Sequence, residues 1–420
     1  MKPKILSTLP TYTGRLFMAD AVAGVTVAMV AIPLSIAIAI ASGATPAQGL
    51  ITAIVAGFLI SLLGGSRVQI GGPTGAFIVV VYGIIADHGY DGLVLATLMA
   101  GVILIFAGLL RVGNLVAYVP EPVVNGFTIG IGVIIASGQL KDFAGLEMAA
   151  LPADFLPKLS ALWDARATVN AVALACGVAT LVLLVALRRL FPRFPGPIFV
   201  IGLVSATVAL LHLPVDTIFA RYGSLPAGLP RPALPDASIA RMVELLPSAL
   251  VIAFLVAIES LLSAMVADRM IEGSHRPNAE VLAQGWANIA SALFGGLPAT
   301  GAIARTATNA RAGGRTPVAG MVHAVTILAV VMVAAPLAGL LAMPAMAALL
   351  MVTAWNMTEP HKWPEYWSAP VTDRILLLLT LTLTVLADLT VAIGVGVALG
   401  LLLRLLERRS GVQDLHTPDR

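Results

Sequence analysis

The sequence predicts an all-α polytopic membrane protein of 14 transmembrane segments, built as a 7+7 inverted repeat with two half-helices at segments 3 and 10. Three observations predict it. Of 420 residues, 59% are hydrophobic and 11% charged, against roughly 45–50% and about 25% in soluble domains. Too few polar side chains remain to clothe a soluble surface of that size. Residues 21–66 and 316–358 carry no Asp, Glu, Lys or Arg. Each stretch holds two helices of about 20 residues, the length that about 30 Å of hydrocarbon requires. Finally, two Gly- and Pro-rich clusters interrupt apolar segments at matching places, the third and the tenth. No run of alternating hydrophobicity points to a β-barrel.

In order, the apolar segments are 20–41, 47–63, 68–86, 92–110, 116–138, 168–187, 195–213, 247–268, 280–295, 297–311, 316–335, 338–355, 371–387 and 389–406. Met1–Arg15 is short and polar and has no signal-peptide pattern. Asp20 suits the N-cap of the first span. The third opens with Gln69-Ile70-Gly71-Gly72-Pro73-Thr74-Gly75 and the tenth with Gly295-Gly296-Leu297-Pro298-Ala299-Thr300-Gly301, and neither stretch is helical throughout. Asn125 and Gln139 flank the fifth span, where hydrogen bonding between helices is the expected role. The single cysteine, Cys176, forms no intrachain disulfide and reads as packing. Asp388 marks the turn between the last two spans. The Pro- and Leu-rich loop 214–246 divides the chain into a first repeat (1–213) and a second (247–406), followed by a cytoplasmic tail (407–420).

Charge placement sets the orientation. With both termini cytoplasmic, about 18 of the 25 basic residues fall in cytoplasmic segments and about six outside, in the two longest loops. The chain therefore reads as a multi-pass protein of the plasma (inner) membrane. Seven spans per half is odd, so the second half inserts upside down relative to the first. Its Ser291-Ala292-Leu293-Phe294-Gly295-Gly296 echoes Ile60-Ser61-Leu62-Leu63-Gly64-Gly65. Secondary transporters commonly place their binding site where two such interrupted helices meet. Half-helices starting at Pro73 and Pro298 would aim free N–H groups into the gap, each contributing about half a positive charge. Thr74 and Thr300 would add hydroxyls, so the site favours anions.

Two ionisable residues lie inside spans. Glu259 sits mid-bilayer, where an acid costs about 2.5–3.5 kcal/mol on insertion scales and usually faces a cavity or a partner. It reads as the carrier of a coupling proton or cation, with Ser263 one turn later on the same face. The alternative is a neutral carboxyl bonded to backbone. Arg305 lies about two turns into the second half-helix. It reads as a fixed charge for an anion or, alternatively, as the ion-pair partner of Glu259. His212 and His323 are isolated, so no metal site is expected. No Gly-Lys-Ser/Thr phosphate loop and no nucleophile–base constellation occurs. No cofactor, nucleic-acid partner or enzyme activity is expected.

Four stretches resemble the SulP (sulfate permease) family of anion transporters: Asp20–Gly24 with Ala31-Ile32-Pro33-Leu34; Val119-Pro120-Glu121-Pro122 through Thr128; Phe294–Pro298 through Arg305-Thr306-Ala307-Thr308-Asn309 to Gly320; and Ala354-Trp355-Asn356-Met357 with Leu386–Thr390. The resemblance implies a core domain (spans 1–4 and 8–11) moving against a gate domain (spans 5–7 and 12–14). It implies an anion site lined by Thr74, Gly75, Ala76, Thr300, Gly301 and Ala302, with Arg305 at the family's basic position and Glu259 at its acidic one. It also implies a homodimer. Leu34 stands after Pro33 where members often carry Gln, and the sequence ends at Arg420 without the family's usual C-terminal STAS domain. The expectation is a secondary active transporter of a dicarboxylate such as fumarate or succinate, bicarbonate or sulfate, coupled to H+ (or Na+). A nucleobase–cation symporter of the same architecture is the alternative, disfavoured because Arg305 stands where a second carboxylate would be needed. A passive anion channel is the other.

Overall fold

Helix starts in this chain follow from what supplies the first backbone N–H groups with acceptors. The computed structural model describes residues 2–114, 120–148, 151–191 and 194–387, and positions 391, 392, 394–396, 398–400 and 402. Helix α1 (Gly14–Ala41) is capped by Thr13, whose hydroxyl accepts from the Leu16 amide at 3.3 Å. Helix α2 (Pro46–Leu63) opens on a proline, and the Thr45 amide donates to Gln48 Oε1 at 2.7 Å. A two-residue strand, β1 (Gly71–Gly72), leads through a 3-10 turn (Gly75–Phe77) into α3 (Ile78–Leu109). Gly89, at φ 70° and ψ 178°, breaks α3 between the predicted third and fourth segments. Then come α4 (Glu121–Ala144), α5 (Ala171–Leu190), α6 (Gly196–Leu210), α7 (Ile239–Ile271) and α8 (Pro277–Leu293). A second short strand, β2 (Thr300–Gly301), precedes α9 (Ile303–Arg311), α10 (Val318–Gly339), α11 (Met343–Met357) and α12 (Val371–Leu386). The start of the predicted fifth span (116–119), Asp388, half of segment 389–406 and the tail 407–420 lie outside the described residues.

Two expectations change here. The loop 214–246 is partly helical: Ile218–Tyr222 forms one turn, and α7 begins at Ile239, capped by Ser238, with Pro247 inside it. Hydropathy marked only the apolar part of that helix, because Arg241 and Glu244 occupy its first turns. Asp20, in turn, is no N-cap. It lies in the second turn of α1, fully buried, and accepts from the Arg315 and Thr316 amides (2.8 and 3.1 Å), the Thr316 hydroxyl and Tyr12 Oη. Burial, with Asp20 adding to it, pushes the Tyr12 phenol up to about 12.

The helices sort into two groups by packing. In one, α1 lies against α2 and α10, and α3 against α7 and α8. In the other, α4 lies between α11 and α12, with α5 and α6 alongside. Between apolar helices in lipid, attraction comes from close packing rather than from exclusion of water. Gly101 of α3 and Gly285 of α8 illustrate it: a Cβ on either would sit 2.8 Å from the other's carbonyl oxygen.

Glu280, in the first turn of α8, is fully buried and was assigned no role by the sequence reading. Its carboxylate accepts from the Gly65 and Ser66 amides (2.8 and 3.2 Å) and from the Gln69 and Gln284 side chains (3.1 and 2.8 Å). Glu280→Ala leaves four buried donors unpaired, at about 1–3 kcal/mol each. The expected result is a lowered melting midpoint and reduced folded yield in detergent, with Glu280→Gln intermediate; an unchanged midpoint for the alanine variant would count against this role.

Candidate functional site

Glycine allows the two interrupted segments to approach backbone to backbone. Strand β1 pairs antiparallel with β2 in the register Gly71↔Gly301 and Gly72↔Thr300, and the Ala302 amide donates to the Ile70 carbonyl at 2.8 Å. Gly72 has φ +150°, and a Cβ there would collide with Arg305 Nη1. Irregular backbone at this depth needs internal hydrogen-bond partners, and neighbouring helices supply them. Thr306 Oγ1 accepts from the Ile70 amide (3.1 Å), and Asn309 Nδ2 donates to the Val68 carbonyl (2.8 Å). For the other segment, Thr52 Oγ1 accepts from the Leu297 amide, Asn288 bonds both the N–H and the C=O of Ala299, and the Ser291 hydroxyl donates to the Leu297 carbonyl (2.7–2.8 Å). The sequence reading gave Thr52, Asn288, Ser291, Thr306 and Asn309 no role. For Asn288, Ser291, Thr306 and Asn309 the signal is a polar side chain flanking the second Gly-Pro cluster; Thr52, mid-way along α2, carries no such signal.

This bonding shifts the helix starts. The prolines do not open the helices: the first helical turn follows Thr74, and α9 begins five residues beyond Pro298. The intervening backbone is extended because strand pairing and the side-chain bonds hold it so. Each helix N-terminus still faces back toward the strand pair, so both positive dipole ends meet there.

The predicted residues take distinct positions. Thr74 is half-buried, with its hydroxyl donating to Glu259 Oε2 at 2.9 Å. Gly75 lies against the second helix group, close to Met357 Sδ and Ile135 Cδ1, and Ala76 is buried behind it. Thr300 is buried, its hydroxyl donating to the Val256 carbonyl of α7 at 3.1 Å. Gly301 lies in the strand pair beside the Gln69 side chain, and Ala302 is the residue before α9.

Arg305 is not the partner of Glu259. Its buried guanidinium turns toward α1 and the first interrupted segment, Nη2 donating to Ser35 Oγ (3.1 Å) and the Pro73 carbonyl (3.0 Å). Nε and Nη1 have no partner among the described residues. Ser35, fully buried two residues after Pro33, is a further polar contact that the reading of Leu34 missed. Ser263 does not join Glu259 either: its hydroxyl shares a 3.0 Å bond with Thr306 Oγ1, which ties α7 to α9. The 3.6-residue period put Ser263 on the Glu259 side of α7, but it could not show that Thr306 of α9 lies closer. His323 of α10 is fully buried, and neither ring nitrogen has a partner among the described residues.

A protein-wide comparison agrees with this architecture. The sulfate permease family matches residues 17–380. YvdB of Bacillus subtilis is 45% identical over 350 residues, covering 83% of this chain and 66% of its own length. The bicarbonate transporter BicA of Synechocystis is 32% identical over 337 residues, covering 79% of this chain and 59% of its own. The chain thus spans less than two thirds of either relative. Among solved structures, the transmembrane domain of a cyanobacterial bicarbonate transporter BicA superposes with a TM-score of 0.82 at 31% identity, covering 91% of this chain and 98% of that one. The murine Slc26a9 anion transporter shares the fold with a TM-score of 0.86 at 18% identity, over 96% of this chain and 71% of that one. These relatives are membrane transporters and not enzymes. On the match across residues 17–380, the paired interrupted segments and the BicA-like fold, this polytopic helical membrane protein belongs to the sulfate permease family.

Proposed function

We propose that the chain is a secondary active transporter of a small anion, coupled to a proton (or Na+) and working by alternating access. One observation carries the reading: Pro73-Thr74 is held from two sides at once, by Arg305 from the opposite interrupted segment and by Glu259 from α7. An anion that draws the guanidinium from the Pro73 carbonyl acts directly on the segment whose next residue bonds the carboxyl. Anion binding and proton uptake then bias one another reciprocally, as linkage requires.

In this reading Thr74, Gly75, Ala76, Thr300, Gly301, Ala302 and Arg305 form the anion site, with the two helix N-termini contributing fixed positive charge. Glu259 carries the coupling ion, and Ser263 acts by fixing α9 through Thr306. The 14 segments form a 7+7 inverted repeat, a topology that the antiparallel pairing of β1 with β2 supports. The group containing α1–α3 and α7–α10 is the core, and the group with α4–α6, α11 and α12 is the gate. Both termini lie in the cytoplasm, and two copies form a homodimer in the inner membrane.

Bicarbonate and sulfate lead the candidate cargoes, with dicarboxylates such as fumarate next. The BicA relatives are named as bicarbonate transporters, and a Bos taurus relative 30% identical over 358 residues is named a sodium-independent sulfate anion transporter. Uptake of labelled bicarbonate, sulfate and fumarate into proteoliposomes under an imposed pH or sodium gradient tests the proposal. Saturable accumulation of at least one anion, driven by the pH gradient, is expected. Uptake that only equilibrates, whatever gradient is imposed, would replace the transporter with a passive channel.

A further inference from the structure

A cavity of about 1080 Å³ lies between the two helix groups, at the end that carries residues 145–148, 151–158 and 214–222. It is as large as the pockets that hold small organic ligands, about 300–1,000 Å³. Ile135 lines it and also lies beside Gly75, so its inner end approaches the paired strands. Tyr82 of α3 donates to the Leu151 carbonyl at 2.6 Å, tying α3 to the loop over the cavity.

Lys158, on the helix Phe155–Asp164, lines this cavity with only 6% of its surface exposed. It has no hydrogen-bond or ion-pair partner among the described residues, and the nearest opposing charge is Asp154, one turn earlier. The other cations of the lining are engaged. Lys141 donates to the Met148 carbonyl at 3.3 Å, and Arg221 bridges Asp142 (2.8 Å) and Asp216 (2.9 Å). Asp87, Glu147 and Asp154 also line the cavity, but as exposed residues in contact with solvent.

A lysine side chain so far withdrawn from water, with no counter-charge bonded to it, is disfavoured as the ammonium. Burial accordingly holds the Lys158 amine below the usual lysine range, with Asp154 opposing. A small anion in the cavity would supply the missing counter-charge and favour the ammonium. We propose that Lys158 anchors a second anion site, separate from the paired strands, which takes a small oxyanion of the sulfate or bicarbonate class from the loop side. As a station on the way inward, this site rests on the anion-transport reading; as a binding site, it does not.

Acylation of the purified full chain in detergent with an amine-reactive acetyl ester, followed by peptide mass spectrometry, tests it. Sulfate or bicarbonate is expected to change the acylation rate of Lys158 at least threefold relative to gluconate at equal ionic strength, saturably. The Glu359-paired Lys362 serves as internal reference and should not respond. The effect should persist in Arg305→Ala, which separates this site from the one at the strands. In proteoliposomes, Lys158→Ala is expected to raise KM for sulfate from the loop side at least fivefold with Vmax unchanged, and Lys158→Arg to restore it. A Lys158 rate insensitive to sulfate and bicarbonate, or equally sensitive to gluconate, overturns the site. If the acylation effect holds while wild-type protein moves no anion, the transport reading fails and the binding site stands.

Discussion

Arg305→Ala is expected to lower the apparent affinity for the transported anion by at least about 30-fold. Truncating a buried, hydrogen-bonded charge at a binding site typically costs about 2–5 kcal/mol, and each 1.4 kcal/mol is about tenfold. Arg305 reaches the paired strands, beside Gly72 and bonded to the Pro73 carbonyl. Two of its three nitrogens have no partner among the described residues. An anion can therefore bind without displacing both of its protein bonds. Arg305→Lys is expected to recover little, because an ammonium is a point charge without the planar fork that reaches Ser35 and Pro73 while presenting further donors. Concentration-dependent uptake of the labelled anion, with the melting midpoint measured in parallel, separates the two roles. Full affinity with a lowered midpoint would make Arg305 a strut between the two interrupted segments.

Glu259→Gln is expected to abolish uphill accumulation while leaving anion exchange in place. The amide oxygen of glutamine still accepts from Thr74, so the local bond survives. What disappears is the ability to bind and release a proton. A pH difference of one unit is worth about 1.4 kcal/mol per proton, or about tenfold accumulation for one proton per anion. Wild-type vesicles should approach that ratio with sulfate, and the variant should stop at equal concentrations inside and out. Counterflow of labelled against unlabelled sulfate should continue at more than about a tenth of the wild-type rate, an estimate that assumes intact anion binding. Gradient-driven accumulation by Glu259→Gln equal to wild type would remove Glu259 from coupling. Loss of counterflow as well would make the carboxylate part of the anion site.

Much of this arrangement was legible because hydrocarbon imposes local rules. Charge-free stretches such as 21–66 mark spans wherever they occur, and two Gly-Pro clusters in matching segments mark backbone that is not helical. The strands form there, and Glu259 and Thr74 meet there. Other readings failed where the deciding partner was distant in sequence. Asp20 looks like a helix cap from its neighbours, but Arg315 and Thr316 claim it. Glu280, at the start of segment 280–295, shows no role from its neighbours, but Gly65, Ser66 and Gln69 surround it. The prolines look like helix starts, yet strand pairing keeps the chain extended past them.

By itself, then, the sequence determined the class of protein, the approximate spans, the two interrupted segments and the pair of ionisable residues worth testing. Each of these follows from hydropathy, backbone freedom or charge within a window of about 20 residues. Only the tertiary structure decided which atoms those residues touch. Arg305 turns to Ser35, 270 residues away, instead of to Glu259, and Thr306 serves the Ile70 amide across 236 residues. In lipid a backbone group outside a helix must find its partner inside the protein, and the choice among candidates depends on distance and direction between helices. That information is absent from any local window, so the partners of Arg305, Ser263, Asp20 and Glu280 emerged only once the chain was folded.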